Sequence, residues 1–193
     1  AQALVSSGQL PAERVGFQWL VPVGAIRRYQ HTSVRNPGRP VTQERAWSDI
    51  AEVERDIPRT RAELDMVRRR LQTRAKHRDL FIHPGVLDTL RSSQDVVLSG
   101  RDAAERVGAS VDASEVDAYI RGSDVDELIQ KLRARDTFEG ANVHLHVVDD
   151  ECWPFPPSQR FATPLVAWLD LEDREDRAAN ALLDRIAGGH IRA

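Results

Sequence analysis

Ser99-Gly100 stands before a helix-forming stretch, and Ser114-Glu115-Val116-Asp117 stands after it, at the head of an alternating polar and apolar segment. On a strand, residues i and i+2 share a face, so Glu115 and Asp117 would present two carboxylates side by side. Hard oxygen ligands of this kind can hold one Mg²⁺ against the phosphates of a nucleoside triphosphate. Asp149, just past a later strand, is the candidate third ligand. An ordinary acidic strand face would carry the same residues.

Other constellations are weaker. His144 and His146 alternate on a predicted strand, with Asp149, Asp150 and Cys152 just beyond. A His-x-His pair can converge on Zn²⁺, but a stable site needs third and fourth ligands, and neither Cys-x-x-Cys nor His-Glu-x-x-His accompanies it. Two histidines on the solvent face of a half-buried strand are the alternative. In Gly122-Ser123-Asp124-Val125-Asp126 the carboxylates fall in a helix's first turn and serve its dipole. Cys152 reads as a small apolar residue, and no serine or cysteine sits in a nucleophile motif. No cofactor is implied.

The elements that would position these residues follow from periodicity and capping. Residues 95–98 form a short buried-type strand, and Ser99 can cap a helix over 101–107 that Gly108 stops. A half-buried strand over 115–120 precedes a helix capped by Ser123, and residues 142–148 make another strand. The β-α-β-α-β order predicts an α/β (α+β) fold, with a sheet of three or more strands and packed helices. Trp153 to Pro157 would be a rigid loop, Thr163-Pro164 starts a wholly apolar helix, and residues 174–187 form a last one.

The first eighty residues differ in charge and pattern. Residues 1–80 hold 15 Arg and Lys against 9 Asp and Glu, and residues 81–193 hold 12 against 21, so balances of +6 and −9 give the net −3. Two regions are therefore expected, 1–80 and 81–193. Phe17, Trp19, Leu20, Val21 and Val23 suggest a strand broken by Pro22, and residues 36–40 a loop. Residues 42–78 read as one long Arg-rich helix capped by Thr42, with Pro58 kinking or splitting it. Ile50, Val53, Ile57, Leu64, Val67 and Leu71 form a heptad stripe. That stripe is either the seam of a homodimer or an edge folded onto its own domain.

Hydrophobic residues at 41% and charged residues at 30% exclude wholesale disorder. No apolar run is long enough to span a membrane, no secretory signal is visible, and a single cysteine fits a reducing compartment. A cytoplasmic protein without membrane attachment is expected. The absence of an initiator Met suggests a trimmed or partial chain. Lys occurs only at Lys76 and Lys131, a bias that GC-rich codon usage or nucleic-acid affinity would produce.

Two resemblances bear on function. The segment from Ser99 to Asp117 is similar to the core of a minimal nucleotidyltransferase, although the small residues of its turn stand in reversed order. The stretch from Val96 onward carries Val97-Leu98-Ser99-Gly100, Ala103-Ala104, Gly108 and Val116-Asp117-Ala118-Tyr119-Ile120. It continues with residues 142–148, Trp153-Pro154-Phe155 and residues 164–171. In order and spacing this half of the chain resembles the C-terminal domain of the AbiEi-type antitoxins of type IV toxin–antitoxin systems. The resemblance implies a transcriptional regulator that binds operator DNA through an N-terminal winged helix-turn-helix and is encoded beside a nucleotidyltransferase toxin. Residues 1–80 show no clean helix-turn-helix. If DNA is bound, Arg27, Arg28, Arg35, Arg39, Arg68, Arg69, Arg70 and Arg74 are the candidate phosphate contacts. The expected reading is a DNA-binding, toxin-associated regulator without catalysis. An enzyme using Glu115 and Asp117 and a dimerising interaction module are the alternatives.

Overall fold

The computed structural model describes residues 12–21, 41–56, 61–109, 114–137 and 139–186, together with Val5 and Ile26. The chain divides after Pro40 into two units, Ala1–Pro40 and Val41–Ala193. In the first, β1 (Glu13–Val15) and β2 (Gln18–Leu20) form an antiparallel hairpin whose turn holds the fully exposed Phe17. The predicted strand from Phe17 thus covers only three residues, Gln18 to Leu20, and its partner precedes it.

The second unit has a mixed α/β fold. Its helices are α1 (Gln43–Arg55), α2 (Arg61–Arg70), α3 (Leu87–Ser92), α4 (Gly100–Arg106), α5 (Val125–Leu132), α6 (Pro164–Asp173) and α7 (Ala178–Ile186). The strands are β3 (Lys76–Phe81), β4 (Val97–Ser99), β5 (Val116–Arg121), β6 (Arg135–Asp136) and β7 (Val143–Val148), in the order β4-β5-β7-β3-β6. Strands β5 and β7 run parallel, joined by a crossover that includes α5. The other pairs are antiparallel.

Both sheet faces are covered. Val116, Ala118 and Ile120 of β5 join Val143, Leu145 and Val147 of β7 against α3 and α5, where Leu87, Leu90, Val125, Leu128 and Leu132 are buried. The opposite face carries Val97, Tyr119 and Val148 beneath α6, α4 and α1. Helix α6 buries every residue from Leu165 to Glu172, as a helix apolar nearly all round must. It starts as predicted, with the Thr163 hydroxyl accepting from the Val166 N–H at 3.4 Å and Pro164 in its first turn. Phe155 of the aromatic loop packs edge-on to Trp47 at 5.3 Å, so the loop's ring closes one margin of this core.

Residues 42–78 do not form one helix. Helix α2 ends at Arg70, a 3₁₀ turn follows at Gln72–Arg74, and Lys76–Phe81 is a strand between β7 and β6. The Arg-rich pattern of the preceding helix runs on into these residues without their being helical. Strand pairing overrides it, because β3 is half-buried and hydrogen-bonds along β7. For the same reason the compact unit begins at Val41 rather than after residue 80.

The heptad stripe packs onto its own domain. Ile50, Leu64 and Leu71 are buried in the core beneath α6, and Val53 and Val67 rest against it. Ile57 lies outside the described residues. A dimer seam cannot be built from side chains already buried within the chain, so that assignment is corrected.

Candidate functional site

The chemistry-bearing residues come together on the α6 side of the sheet. Ser99, Asp117, His144 and Asp79 are successive register partners across β4, β5, β7 and β3. The next row on the same face is Val97, Tyr119, His146 and His77. Alternation fixes this: residues two apart on each strand must point the same way. Glu115, just before β5, extends the carboxylate line by one step.

Asp170 of α6 is the centre of the buried part. Its Oδ1 accepts from Arg74 Nη2 at 2.6 Å and from the Tyr119 hydroxyl at 2.8 Å, and its Oδ2 accepts from the Ser99 hydroxyl. Arg74 also donates from Nε to the Tyr119 oxygen at 3.0 Å, from Nη2 to Asp173 at 2.8 Å and from Nη1 to the Leu71 carbonyl at 3.2 Å. Arg74, Ser99, Asp117, Tyr119 and Asp170 have no exposed surface. Burial would push the Asp170 carboxyl up, but His146, Arg74 and the Ser99 hydroxyl outweigh it and hold it below its ordinary value. Burial, with Asp170 beside it, pushes the Tyr119 hydroxyl up, so it stays a neutral donor.

His146 stacks on Tyr119 with ring centroids 4.7 Å apart. Both of its ring nitrogens are buried without a hydrogen-bond partner, 3.6 Å from Asp170 Oδ1 and 3.9 Å from Asp117 Oδ1. The expectation of a solvent-facing histidine pair is therefore corrected. His146 is 2% exposed because α6 covers the face that the alternating pattern leaves open.

The outer part of the cluster lies toward the start of β5. Arg174, at the end of α6, donates from Nη1 to Glu115 Oε2 at 3.2 Å and from Nη2 to Asp117 Oδ2 at 3.1 Å. Arg101 of α4 stands 3.5 Å from Glu115 and donates to Asp176 at 2.7 Å. His144 Nδ1 lies 2.8 Å from Asp79, and its Nε2 lies 3.7 Å from Glu115. The His144 ring, opposed by burial and aided by Arg174 and Arg101, holds Glu115 down at about 2. Burial would lower the His144 ring, and Asp79 and Glu115 reverse this to raise it. Burial works to raise Asp117, but His146 and Arg174 hold it low.

Gly100 completes the arrangement. Its φ is +48°, a left-handed conformation, and a Cβ there would overlap the Asp117 carboxylate. The Ser99-Gly100 turn and the Glu115/Asp117 strand therefore do meet, as the spacing suggested. Ser99 does not cap α4; its hydroxyl goes to Asp170 instead. Ser123 likewise does not cap α5.

Asp149 is not a third ligand. It follows the far end of β7, and at about 3.3 Å per residue it sits roughly 17 Å along the sheet from the Asp117 row. There it pairs with Lys76 at 2.7 Å. Among the described residues, no group of three or more His, Cys, Asp and Glu side chains is arranged to hold a metal ion.

The candidate phosphate contacts divide. Arg74 is interior, and Arg68 is held by Asp173 at 3.0 Å and Glu172 at 3.5 Å, so neither faces a ligand. Arg70 is exposed but paired with the buried Asp49 at 2.8 Å, and Arg69 is half-buried. Arg27, Arg28, Arg35 and Arg39 lie outside the described residues. Ion pairs between the two charge regions account for much of the split: Arg68, Arg74, Lys76 and Arg78 are neutralised by Asp173, Asp170, Asp149 and Asp136.

Sequence reasoning passed over Tyr119, Asp170 and Arg174, and gave Arg74 a phosphate partner where the fold gives it Asp170. One signal was present, a carboxylate within the apolar run Leu165 to Leu171, since a charge on a helix buried all round needs a buried partner. No family model, curated protein or solved structure matches the chain. Among the described residues, no helix is long and apolar enough to cross a membrane.

Proposed function

We propose that the chain is a non-catalytic regulator of the antitoxin type, whose N-terminal segment binds DNA and whose sheet domain serves as a protein-contact scaffold. The observation that carries this reading is the Arg174 guanidinium on Glu115 and Asp117, at 3.2 and 3.1 Å. The residues that would bind a metal-nucleotide are engaged in an internal ion pair. With Arg68, Arg70, Arg74, Lys76 and Arg78 also paired internally, the basic region best suited by composition is residues 1–40, which hold five Arg against one Glu. That composition suits phosphate contacts by Arg27, Arg28, Arg35 and Arg39.

The test is fluorescence anisotropy of DNA from the protein's own upstream region, titrated at several salt concentrations against unrelated DNA. Cognate binding that weakens steeply with salt is expected. Each of the four N-terminal arginines changed to Ala should reduce the salt slope by about 0.9 per lost phosphate contact. No binding at low salt would overturn the DNA reading and favour a protein-only interaction module.

A second reading, a nucleotidyltransferase-like enzyme using Glu115 and Asp117, is favoured by one observation, the close fit of Gly100 against Asp117. Calorimetric titration with Mg²⁺ and nucleoside triphosphates separates the two. Heat that disappears in Glu115→Ala and Asp117→Ala supports the enzyme, and no heat in the wild type removes it.

A further inference from the structure

A cavity of about 380 Å³ opens between the end of α4 and the loop that leads into α6. That volume lies in the range of small-molecule sites. Its walls are apolar at Ala103, Val107, Phe161, Ala162 and Pro164, and its charged residues are Arg106 and Arg160. No Asp or Glu lines it. Among the described residues, neither arginine has a carboxylate within ion-pair distance. Arg106 lays its guanidinium over the Phe161 ring, 4.7 Å from the centroid. The acid one helical turn before it, Asp102, accepts from Arg91 at 2.7 Å and is not available as an i, i+4 partner. Arg160 gives its Nη groups to the carbonyls of Arg91, Ser93 and Val96, which fixes the side chain and leaves its charge uncompensated.

The backbone adds a donor. The Leu98 N–H donates to the Arg160 carbonyl at 2.9 Å and the Ala162 N–H to the Leu98 carbonyl at 2.7 Å, so residues 160–162 run parallel along β4. The Phe161 N–H and carbonyl therefore point away from the sheet. That carbonyl accepts from Gln159 Nε2 at 2.9 Å, but among the described residues the N–H has no acceptor.

We propose that this cavity binds a small aromatic carboxylate, with the ring against Phe161 and Pro164 and the carboxylate on Arg106. Two carboxylate oxygens match the planar fork of a guanidinium, and such charge-assisted pairs are strong. A flat apolar body suits a lining in which only two of nine residues are charged. The positive field of the two arginines selects the anion over a neutral molecule of the same shape. The ligand bridges α4 and the entry to α6, the helices that carry Arg101 and Asp170, so its binding stabilises the packing of the buried cluster. This inference goes beyond the regulator reading and does not depend on whether the chain binds DNA.

The experiment is calorimetric titration of the full chain with naphthoate and, separately, with its neutral amide, naphthamide. One naphthoate per chain is expected, bound on the order of 10-fold more tightly than the amide, with a raised melting temperature. Arg106 is exposed, and Arg106→Met keeps much of the stem on the Phe161 ring while removing the charge. It should bring naphthoate down to the affinity of the amide and leave the amide unchanged. Ser158 is an exposed residue of the lining, and Ser158→Trp fills the cavity from outside the core. It should weaken both compounds by roughly 10-fold or more, with circular dichroism unchanged. No heat at millimolar naphthoate, or equal affinity for acid and amide in the wild type, overturns the proposal. Binding that survives Ser158→Trp, or an acid preference that survives Arg106→Met, places the compound elsewhere and overturns it too.

Discussion

Arg74 on the turn after α2 and Asp170 in α6 meet at 2.6 Å with no exposed surface on either side chain. The Tyr119 hydroxyl and Asp173 complete the shell around the guanidinium. Removing one partner leaves an uncompensated buried charge, which typically costs roughly 3–5 kcal/mol. Asp170→Asn and Arg74→Met should each destabilise the protein by about that amount in urea denaturation. Their combination should be less destabilised than the sum of the two, and strict additivity would mean that the two groups are not energetically coupled.

Gly100→Ala should destabilise by more than about 2 kcal/mol, since it combines a left-handed backbone with overlap onto Asp117. Gly140 has a φ of +69° but open space around it, so Gly140→Ala meets only the backbone term. Thermal melts of the two variants compare the contributions directly. Equal losses would show that the Asp117 contact adds nothing.

The Glu115–His144 pair predicts opposite pH limbs. Glu115 is held at about 2 against an ordinary 4.5, so its contribution is full above 4.5 and lost as the pH falls toward 2. His144 is raised above its ordinary 6.5, so its contribution is full below 6.5 and lost as the pH rises through the raised value. The pair should therefore stabilise most between about 4.5 and 6.5. Urea midpoints measured from about pH 2 to well above 6.5 should lose part of their acid dependence in Glu115→Gln and part of their alkaline dependence in His144→Gln. Unchanged profiles would disconnect both groups from stability.

Leu64 is fully buried against the chain's own core. Leu64→Lys should therefore unfold or severely destabilise the domain, by more than about 3 kcal/mol. Sedimentation analysis alongside circular dichroism distinguishes this from loss of a dimer. A well-folded variant that only changed oligomeric state would return the heptad stripe to an intermolecular role.

Much of the fold was legible from local pattern. The strands at Val97–Ser99, Val116–Arg121 and Val143–Val148, the start of α6 at Thr163-Pro164 and the stop of α4 at Gly108 follow from alternation, capping and the special backbone of glycine and proline. These signals are carried by adjacent residues, so no knowledge of the rest of the molecule is needed to read them. The pairing of Glu115 with Asp117 on one face is of the same kind.

Tertiary structure decided what those residues face. Lys76–Phe81 became a strand because β7 offered it a partner, although its local composition continued the Arg-rich pattern before it. His146 became interior because α6 covers the sheet, and Arg74 moved from candidate phosphate ligand to buried counter-ion because Asp170 lies 96 residues away in sequence and adjacent in space. Composition records that a charge exists and where it stands along the chain. Whether that charge meets water, a phosphate or a carboxylate depends on long-range packing, since the cost of burying it is offset only by partners that the fold brings to it.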